Sequence, residues 1–218
     1  YIYIFWIDQL SKSLWSQVFQ INILEDTDNY ILPKGNINKL TNSIEGNFDG
    51  CFCLANKSTL IGLIEINNND YLYSLNIKKI NQDLKILKKF NNFAGDLSSN
   101  SSVNLISWIE WDTPYMPWEK NDLFFAEIDL FGELKKIKKF SHKNINKNKN
   151  VSFFQPHWIS EKILVCSEDS SGWWNLLFLE VREIEKIESI FIKKRVERNL
   201  IEYGAPQWVS GITFFSGT

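Results

Sequence analysis

Two segments of the chain combine aromatic and acidic side chains in a way typical of a ligand-binding rim. The first runs from Trp111 to Glu119, and the second runs from Ser167 to Asn175 and contains Gly-Trp-Trp-Asn. Carboxylates form charge-assisted hydrogen bonds with ammonium groups, and aromatic faces attract cations, so these segments could receive a cationic or peptidic ligand. The candidates for contact with a substrate or with a neighbouring domain are Glu110, Asp112, Trp118, Trp173 and Trp174.

The same two segments also have a structural interpretation, which the sequence leaves open. Pro114, Pro117 and Gly172 favour turns, and large aromatic rings often cover the seams between packed sheets. Under this interpretation the tryptophans stabilise the fold and contact no ligand.

The chain contains no set of residues typical of a catalytic site. The Gly-x-Ser-x-Gly turn that exposes a nucleophilic serine does not occur. The histidines are His142, in a segment rich in Lys and Asn, and His157, between Pro156 and Trp158. A histidine in such a place is more often solvated or structural than catalytic. We therefore predict no catalytic residue, no metal site and no cofactor in this chain.

The cysteines indicate a reducing compartment. Cys51, Cys53 and Cys166 are odd in number and lack the spacing of a zinc site or of a disulfide framework. Cys51 and Cys53 are two residues apart and would share one face of a strand, which is a poor geometry for a disulfide between them. We expect a cytoplasmic protein.

Charge and hydropathy argue against nucleic-acid and membrane partners. The chain has 24 Lys and Arg residues against 26 Asp and Glu residues, a formal net charge of −2, whereas nucleic-acid binders are usually basic. The longest apolar run, Tyr1 to Ile7, is far shorter than the roughly 20 residues of a membrane helix. The run from Lys135 to Lys149 contains seven lysines and no acid, and its interleaved Asn residues indicate a solvated connection.

An internal repeat predicts an all-β fold. The apolar runs that begin at Leu72, Leu123 and Leu176 align without gaps at steps of 51 and 53 residues, and each is followed by a turn and a second short run. A third run precedes each copy, and before two of the copies a fourth segment carries an aromatic residue near Pro or Gly. Four strands per period form the blade of a β-propeller, although regular spacing is also compatible with a sandwich or a solenoid.

The repeat predicts a partial β-propeller of four-stranded antiparallel blades. Three full blades are expected at about 45–90, 91–145 and 150–195, with partial blades at 1–44 and 200–218. Because residue 1 is not Met and Phe214-Phe215 still has a strand pattern near the end, we expect the chain to be part of a larger protein. A severed propeller would leave sheet edges open, which favours self-association.

Four ordered motifs resemble the N-terminal propeller of prolyl-oligopeptidase-family serine peptidases, in the branch of dipeptidyl aminopeptidases and acylaminoacyl-peptidases. They are the run Leu105–Trp118, Phe-Gln-Pro-His-Trp at 154–158, Ser-Gly-Trp-Trp-Asn-Leu at 171–176 and Gly-Ala-Pro-Gln-Trp-Val at 204–209. The sequence departs from the family at Glu168-Asp169-Ser170, where relatives commonly have Asp-Arg-Ser, so a basic contact is in doubt there.

The resemblance implies a parent enzyme in which the propeller caps an α/β-hydrolase domain, and this chain stops before that domain. The expected function is a non-catalytic propeller segment of a serine exopeptidase or oligopeptidase that gates and docks peptide substrates, with that hydrolase domain as its partner. We expect the chain alone to be inactive. A stand-alone propeller that binds a protein or glycan partner is the alternative, and a lectin-like or glycan-processing β protein is a third hypothesis.

Overall fold

The computed structural model describes residues 2–22, 30–56, 58–102, 104–129, 131–182, 190–196, 201–208 and 211–216, without the side chains of residues 2, 21, 22, 30, 31, 50–56 and 142. The disulfide argument about Cys51 and Cys53 therefore lies outside the described residues. The first strands are β1 (Ile2–Asp8), β2 (Ser13–Asn22), β3 (Tyr30–Lys39), β4 (Asn47–Asn56), β5 (Thr59–Ile66), β6 (Asn69–Asn76) and β7 (Lys85–Lys89). They are followed by β8 (Phe93–Ser99), β9 (Leu105–Trp111), β10 (Asp122–Ile128), β11 (Leu134–Phe140), the short helix α1 (His142–Ile145), β12 (Phe153–Trp158), β13 (Ile163–Glu168), β14 (Asn175–Val181) and β15 (Ile190–Val196).

The strands form antiparallel sheets that follow the chain order. Among the described residues, three sheets have four strands each, β4-β5-β6-β7, β8-β9-β10-β11 and β12-β13-β14-β15, and β1-β2-β3 form a three-stranded sheet. The first strands of the four-stranded sheets lie side by side, since β8 contacts both β4 and β12. Successive small sheets that meet along their first strands are the blades of a propeller. The predicted fold class, a partial β-propeller with about three full blades, is confirmed.

The sheet β8-β9-β10-β11 is buried on both faces because it packs between two neighbours. In β9, Ile106 and Trp108 belong to the core shared with β5 and β6. Leu105 and Ile109, on the opposite face of the same strand, belong to the core shared with β12, β13 and β14. Alternate side chains of a strand point to opposite faces, so a strand buried on both sides is a nearly continuous apolar run. Because of this burial, the second and third strands are the easiest to recognise in the sequence.

Local turn chemistry fixes the register of one hairpin. Asn67 and Asn68 connect β5 to β6 as a two-residue turn, and their φ angles of 50° and 59° are both positive. Such a turn matches the twist of the flanking strands, and Asn tolerates the left-handed conformation better than most residues.

β-Bulges recur at equivalent places in the three four-stranded sheets. The register between first and second strands shifts after Phe48, Gly95 and Phe154. It shifts between third and fourth strands as well, near Leu72, Phe125 and Phe178. The fourth strands β7, β11 and β15 also carry two or more lysines each. Bulges and lysines both discourage an exposed edge strand from pairing with another chain.

The two ends of the chain differ in structure. The first 39 residues contribute the three-stranded sheet, whose β1 has no partner on its outer side among the described residues. The described residues between 201 and 216 contain no strand, so the predicted start of a further blade at 200–218 stays a prediction. In the described part of the chain, no helix has the length and apolar character needed to cross a bilayer.

Candidate functional site

The two aromatic-acidic segments are loops at the same end of neighbouring sheets. Residues 112–121 connect β9 to β10, and residues 169–174 connect β13 to β14, so each loop joins the second and third strands of its own sheet. The loops meet at Ser152, just before β12. The Ser152 hydroxyl donates a hydrogen bond to the carbonyl oxygen of Pro117, and its backbone N–H donates to Asp169 Oδ1 at 2.8 Å. The two loops therefore lie next to each other and are connected through Ser152.

Asn121 fixes the first loop, and the sequence argument missed it. This buried side chain donates from Nδ2 to the carbonyl oxygens of Pro117 and Phe153, at 2.8 Å each. Its Oδ1 accepts the backbone N–H of Phe153 at 2.8 Å. Asn121 thus bonds to both the N–H and the carbonyl oxygen of Phe153, as a residue of a neighbouring β-strand would. The loop is consequently held at a defined position against β12.

Glu110 serves mainly to hold adjacent sheets together. Its Oε1 accepts a hydrogen bond from Trp108 Nε1 at 2.7 Å and forms an ion pair with Lys88 Nζ of β7 at 2.8 Å. Only 20% of the Glu110 side chain is exposed. Because both partners hold this oxygen, Glu110 is less available to a ligand than its position on the rim suggests.

Asp112 is more accessible than Glu110. It is exposed, and its Oδ1 accepts a hydrogen bond from Asn92 Nδ2 at 2.6 Å. Asn92 is uncharged, so this contact is a hydrogen bond and not an ion pair. Glu110 and Asp112 both line a cavity of about 420 Å³ between the 112–121 loop and the start of the 141–150 segment. We call it the 110–143 cavity, after the residue numbers that bound it.

The predicted tryptophans occupy different environments. Trp118 is half-buried and contacts Trp208, with ring centroids 4.4 Å apart, and Trp208 is 73% exposed. Trp173 is half-buried on the second loop. Trp174 is buried, and its ring packs edge-on against Phe154 at 6.0 Å. The structure therefore brings Trp118 and Trp173 to the surface of the rim and places Trp174 in the interior.

An arginine of the fourth strand contacts the second loop. Arg195 of β15 donates from Nη2 to Glu168 Oε1 and to Ser170 Oγ, at 2.5 Å each. Glu168 is fully buried, and its Oε2 accepts the Ser170 backbone N–H at 2.9 Å. The sequence alone does not predict this contact, because the loop has Glu168-Asp169-Ser170 and no arginine of its own. The arginine comes from the fourth strand, 27 residues away.

Asp169, a half-buried acid of this loop, has a raised pKa. Burial raises the pKa of Asp169 to about 6, and the nearby carboxylates of Glu168 and Glu202 act in the same direction. The hydrogen bond from the Ser152 backbone opposes this shift. An acid that titrates near pH 6 can change its charge within the physiological range, which makes Asp169 a further candidate beside the predicted residues.

A second polar group lies on the first strands, at their equivalent bulges. Asp49, Asp96 and Gln155 each follow the register shift in β4, β8 and β12. The Gln155 backbone N–H donates to Asp96 Oδ2 at 3.1 Å, and the Phe214 N–H donates to Gln155 Oε1 at 2.7 Å. The side chains of Asp96 and Gln155 thus each accept a hydrogen bond from the backbone of a later segment of the chain. Burial, and to a smaller extent the Asp49 charge, raise the pKa of Asp96 to about 6.

The other polar residues identified in the sequence show no catalytic arrangement in the described residues. His157 is half-buried at the end of β12, and the His142 side chain lies outside the description. Cys166 is a buried free thiol whose pKa is raised by desolvation. No cluster of three or more His, Cys, Asp or Glu side chains in the described part is placed to hold a metal ion.

Solved peptidase structures share this fold. A puromycin-hydrolyzing peptidase of Mycobacterium tuberculosis matches with a TM-score of 0.64 and 14% identity, over 94% of this chain and 32% of that chain. Puromycin hydrolase matches with a TM-score of 0.68 and 16% identity, over 99% of this chain and 32% of that chain. A serine-to-alanine mutant of puromycin hydrolase complexed with PGG matches with a TM-score of 0.69 and 16% identity, over 96% and 31%.

The chain therefore has the fold of the propeller part of these peptidases, as the four motifs predicted. It spans about a third of the length of the proteins that it matches. No protein-family model matches the chain, and no curated protein is similar to it in sequence.

Proposed function

We propose that this chain is the non-catalytic propeller segment of a serine exopeptidase or oligopeptidase of the dipeptidyl aminopeptidase or acylaminoacyl-peptidase type. In this role it gates and docks peptide substrates over an active site in a hydrolase domain. The observation that supports the proposal is the match of nearly the whole chain to about a third of each peptidase. The buried free thiol of Cys166 supports a cytoplasmic location, where thiols stay reduced.

The rim supplies chemistry that suits a docking surface for peptides. Trp118, Trp173 and Asp112 face solvent on the two loops, and they offer aromatic faces and an accessible carboxylate. Such groups bind peptide side chains and amino groups without being able to cleave a peptide bond. Gating is steric, because a folded protein is too wide to enter a closed propeller while an extended peptide can.

The simplest test is to assay the purified 218-residue chain. We expect no hydrolysis of aminoacyl or dipeptidyl chromogenic substrates and no labelling by a serine-directed fluorophosphonate. Activity that copurifies with the chain and is blocked by the fluorophosphonate would contradict the proposal. Reading the coding sequence past Thr218 gives an independent test, since we expect Gly-x-Ser-x-Gly followed by Asp and then His.

The docking role needs an assay of the protein that includes the hydrolase domain. The double variant Trp118→Ala/Trp173→Ala should raise KM for an extended peptide several-fold and leave hydrolysis of a small chromogenic substrate unchanged. Phe131→Ala is the matched control, because Phe131 is 83% exposed on the β10–β11 hairpin at the opposite end of the sheet. Equal KM values for the double variant and the control would show that the rim docks no peptide.

A further inference from the structure

Two of the acids that line the 110–143 cavity are paired with lysines, and the charged groups that remain unpaired there are more positive than negative. Glu110 is paired with Lys88 at 2.8 Å, and Asp122 is paired with Lys139 at 2.5 Å. These two pairs neutralise themselves and stiffen the walls of the cavity. They leave little charge for a ligand.

Three charged groups of the cavity have no oppositely charged partner among the described residues. The Asp112 carboxylate is bonded to the neutral amide of Asn92, and the Lys120 ammonium lies 4.9 Å above the ring of Tyr115. Lys143 is exposed. The cavity therefore offers two ammonium groups and one carboxylate, which is the complement of a molecule with a carboxylate and an ammonium group of its own.

The walls and the size of the cavity indicate how large that molecule is. A volume of about 420 Å³ lies at the lower end of the range for small-molecule sites. Trp111 and Tyr115 contribute aromatic surface to the lining. The Trp111 ring stacks on the ring of Phe93, with ring centroids 5.6 Å apart and planes 19° apart. A preformed aromatic wall favours a ligand with an apolar or aromatic side chain.

We propose that the 110–143 cavity binds a free dipeptide or amino acid in its zwitterionic form. The carboxylate of the ligand pairs with Lys120 and Lys143, its ammonium group pairs with Asp112, and its side chain packs on Trp111 and Tyr115. The inference rests on the proposed peptidase function for its biological meaning, because a peptidase releases such molecules. The binding itself is argued from the cavity alone and can be measured on this chain without any activity.

Isothermal titration calorimetry with glycyl-phenylalanine tests the proposal directly. We expect saturable binding by the wild-type chain, and about tenfold weaker binding by Lys120→Gln/Lys143→Gln, since exposed ion pairs contribute up to about fivefold each. Lys78→Gln, in an exposed turn on another sheet, is the control and should bind as the wild type does. Thermal unfolding of each variant shows whether it has folded.

Modified probes separate the two ends of the ligand. Glycyl-phenylalanine amide lacks the carboxylate and should bind about tenfold more weakly to the wild type. N-acetyl-glycyl-phenylalanine lacks the ammonium group, and Asp112→Asn should leave its affinity unchanged while weakening the unmodified dipeptide. Equal affinity for the dipeptide and its amide, absence of binding, or phosphate binding as tightly as the dipeptide would overturn the proposal. None of these results bears on the fluorophosphonate test of the peptidase function.

Discussion

Replacing Asp96 by Asn should stabilise the protein at neutral pH. Asp96 lies half-buried on the bulge of β8, and its Oδ2 accepts the backbone N–H of Gln155 at 3.1 Å. Asn keeps an oxygen acceptor in the same place and removes the charge. The substitution therefore tests whether the ionised Asp96 carboxylate lowers the free energy of unfolding.

The magnitude follows from the pKa. The pKa of Asp96 is raised from 3.8 to about 6 by desolvation and, to a smaller extent, by the charge of Asp49. One pKa unit corresponds to about 1.4 kcal/mol, so the ionised form is disfavoured in the folded state by up to about 3 kcal/mol. Part of the side chain remains in contact with solvent, which screens the charge, and loss of the charge-assisted hydrogen bond offsets part of the gain. We expect Asp96→Asn to gain roughly 1–3 kcal/mol.

The raised pKa of Asp96 determines whether the stability of the folded protein rises or falls with pH. Because the folded-state pKa lies above the unfolded-state pKa, the folded protein binds more protons between pH 3.8 and about 6, and its stability falls as pH rises through this window. The difference between Asp96→Asn and the wild type should be largest at pH 8 and should disappear near pH 4. Asp169 contributes a slope of its own, which both proteins share.

Urea denaturation at pH 4, 6 and 8, followed by tryptophan fluorescence, measures the difference. Asp83→Asn is the control, because Asp83 is exposed and also accepts an amide hydrogen bond, from Asn42 at 2.8 Å. The control should stay within about 0.5 kcal/mol of the wild type at each pH. Destabilisation by Asp96→Asn at pH 8, or a difference that does not change with pH, would refute the reasoning about the bulge.

Three further predictions follow from other contacts. Ser107→Ala should destabilise the fold by about 1–3 kcal/mol in urea denaturation, because the buried Trp158 Nε1–H donates to Ser107 Oγ at 3.1 Å and would lose its acceptor. Cys166 should stay unmodified by iodoacetamide in the folded protein and react after unfolding, as peptide mass spectrometry can show, since its thiol is buried and has a raised pKa. The isolated chain should form dimers or larger species in light scattering through the open edge of β1, where Tyr3 and Ile4 are 43% and 44% exposed, and Ile4→Lys should shift it toward monomer. A wild-type chain that is monomeric at all concentrations would contradict this last expectation.

The strands that are easiest to recognise in the sequence are those with several buried apolar residues. The runs beginning at Leu72 and Leu123 are third strands whose apolar side chains enter two cores, and the run beginning at Leu176 is a third strand whose alternate side chains enter one core. Their composition alone distinguishes them from the polar turns. The first strands were harder to recognise because each contains a bulge with a polar residue, as at Asp96 and Gln155.

The partners of individual site residues could not be predicted, because they come from distant parts of the chain. The Asn121 side chain donates a hydrogen bond to the carbonyl oxygen of Phe153, 32 residues away, and the Gln155 backbone N–H donates one to Asp96, 59 residues away. Glu110 was a candidate because of its place on the rim, but the lysine that holds it belongs to the preceding sheet. A pattern within one strand carries no information about such contacts.

The repeat places an acid at the same point of three sheets, and the neighbouring loop decides what that acid can do. Glu65, Glu110 and Glu168 stand opposite Asp70, Asp122 and Asn175 in equivalent pairs of second and third strands. In the first of these sheets only Asn67 and Asn68 connect the two strands, and the cavity that Glu65 and Asp70 line there has a volume of about 210 Å³, half that of the 110–143 cavity. The corresponding connection at 112–121 is ten residues long, and it brings Asp112, Tyr115 and Lys120 around the space beside Glu110. The larger cavity therefore lies where a loop exceeds the length that the strands need, and under the proposed binding we expect substitutions in that loop to change binding more than substitutions of the repeated acids.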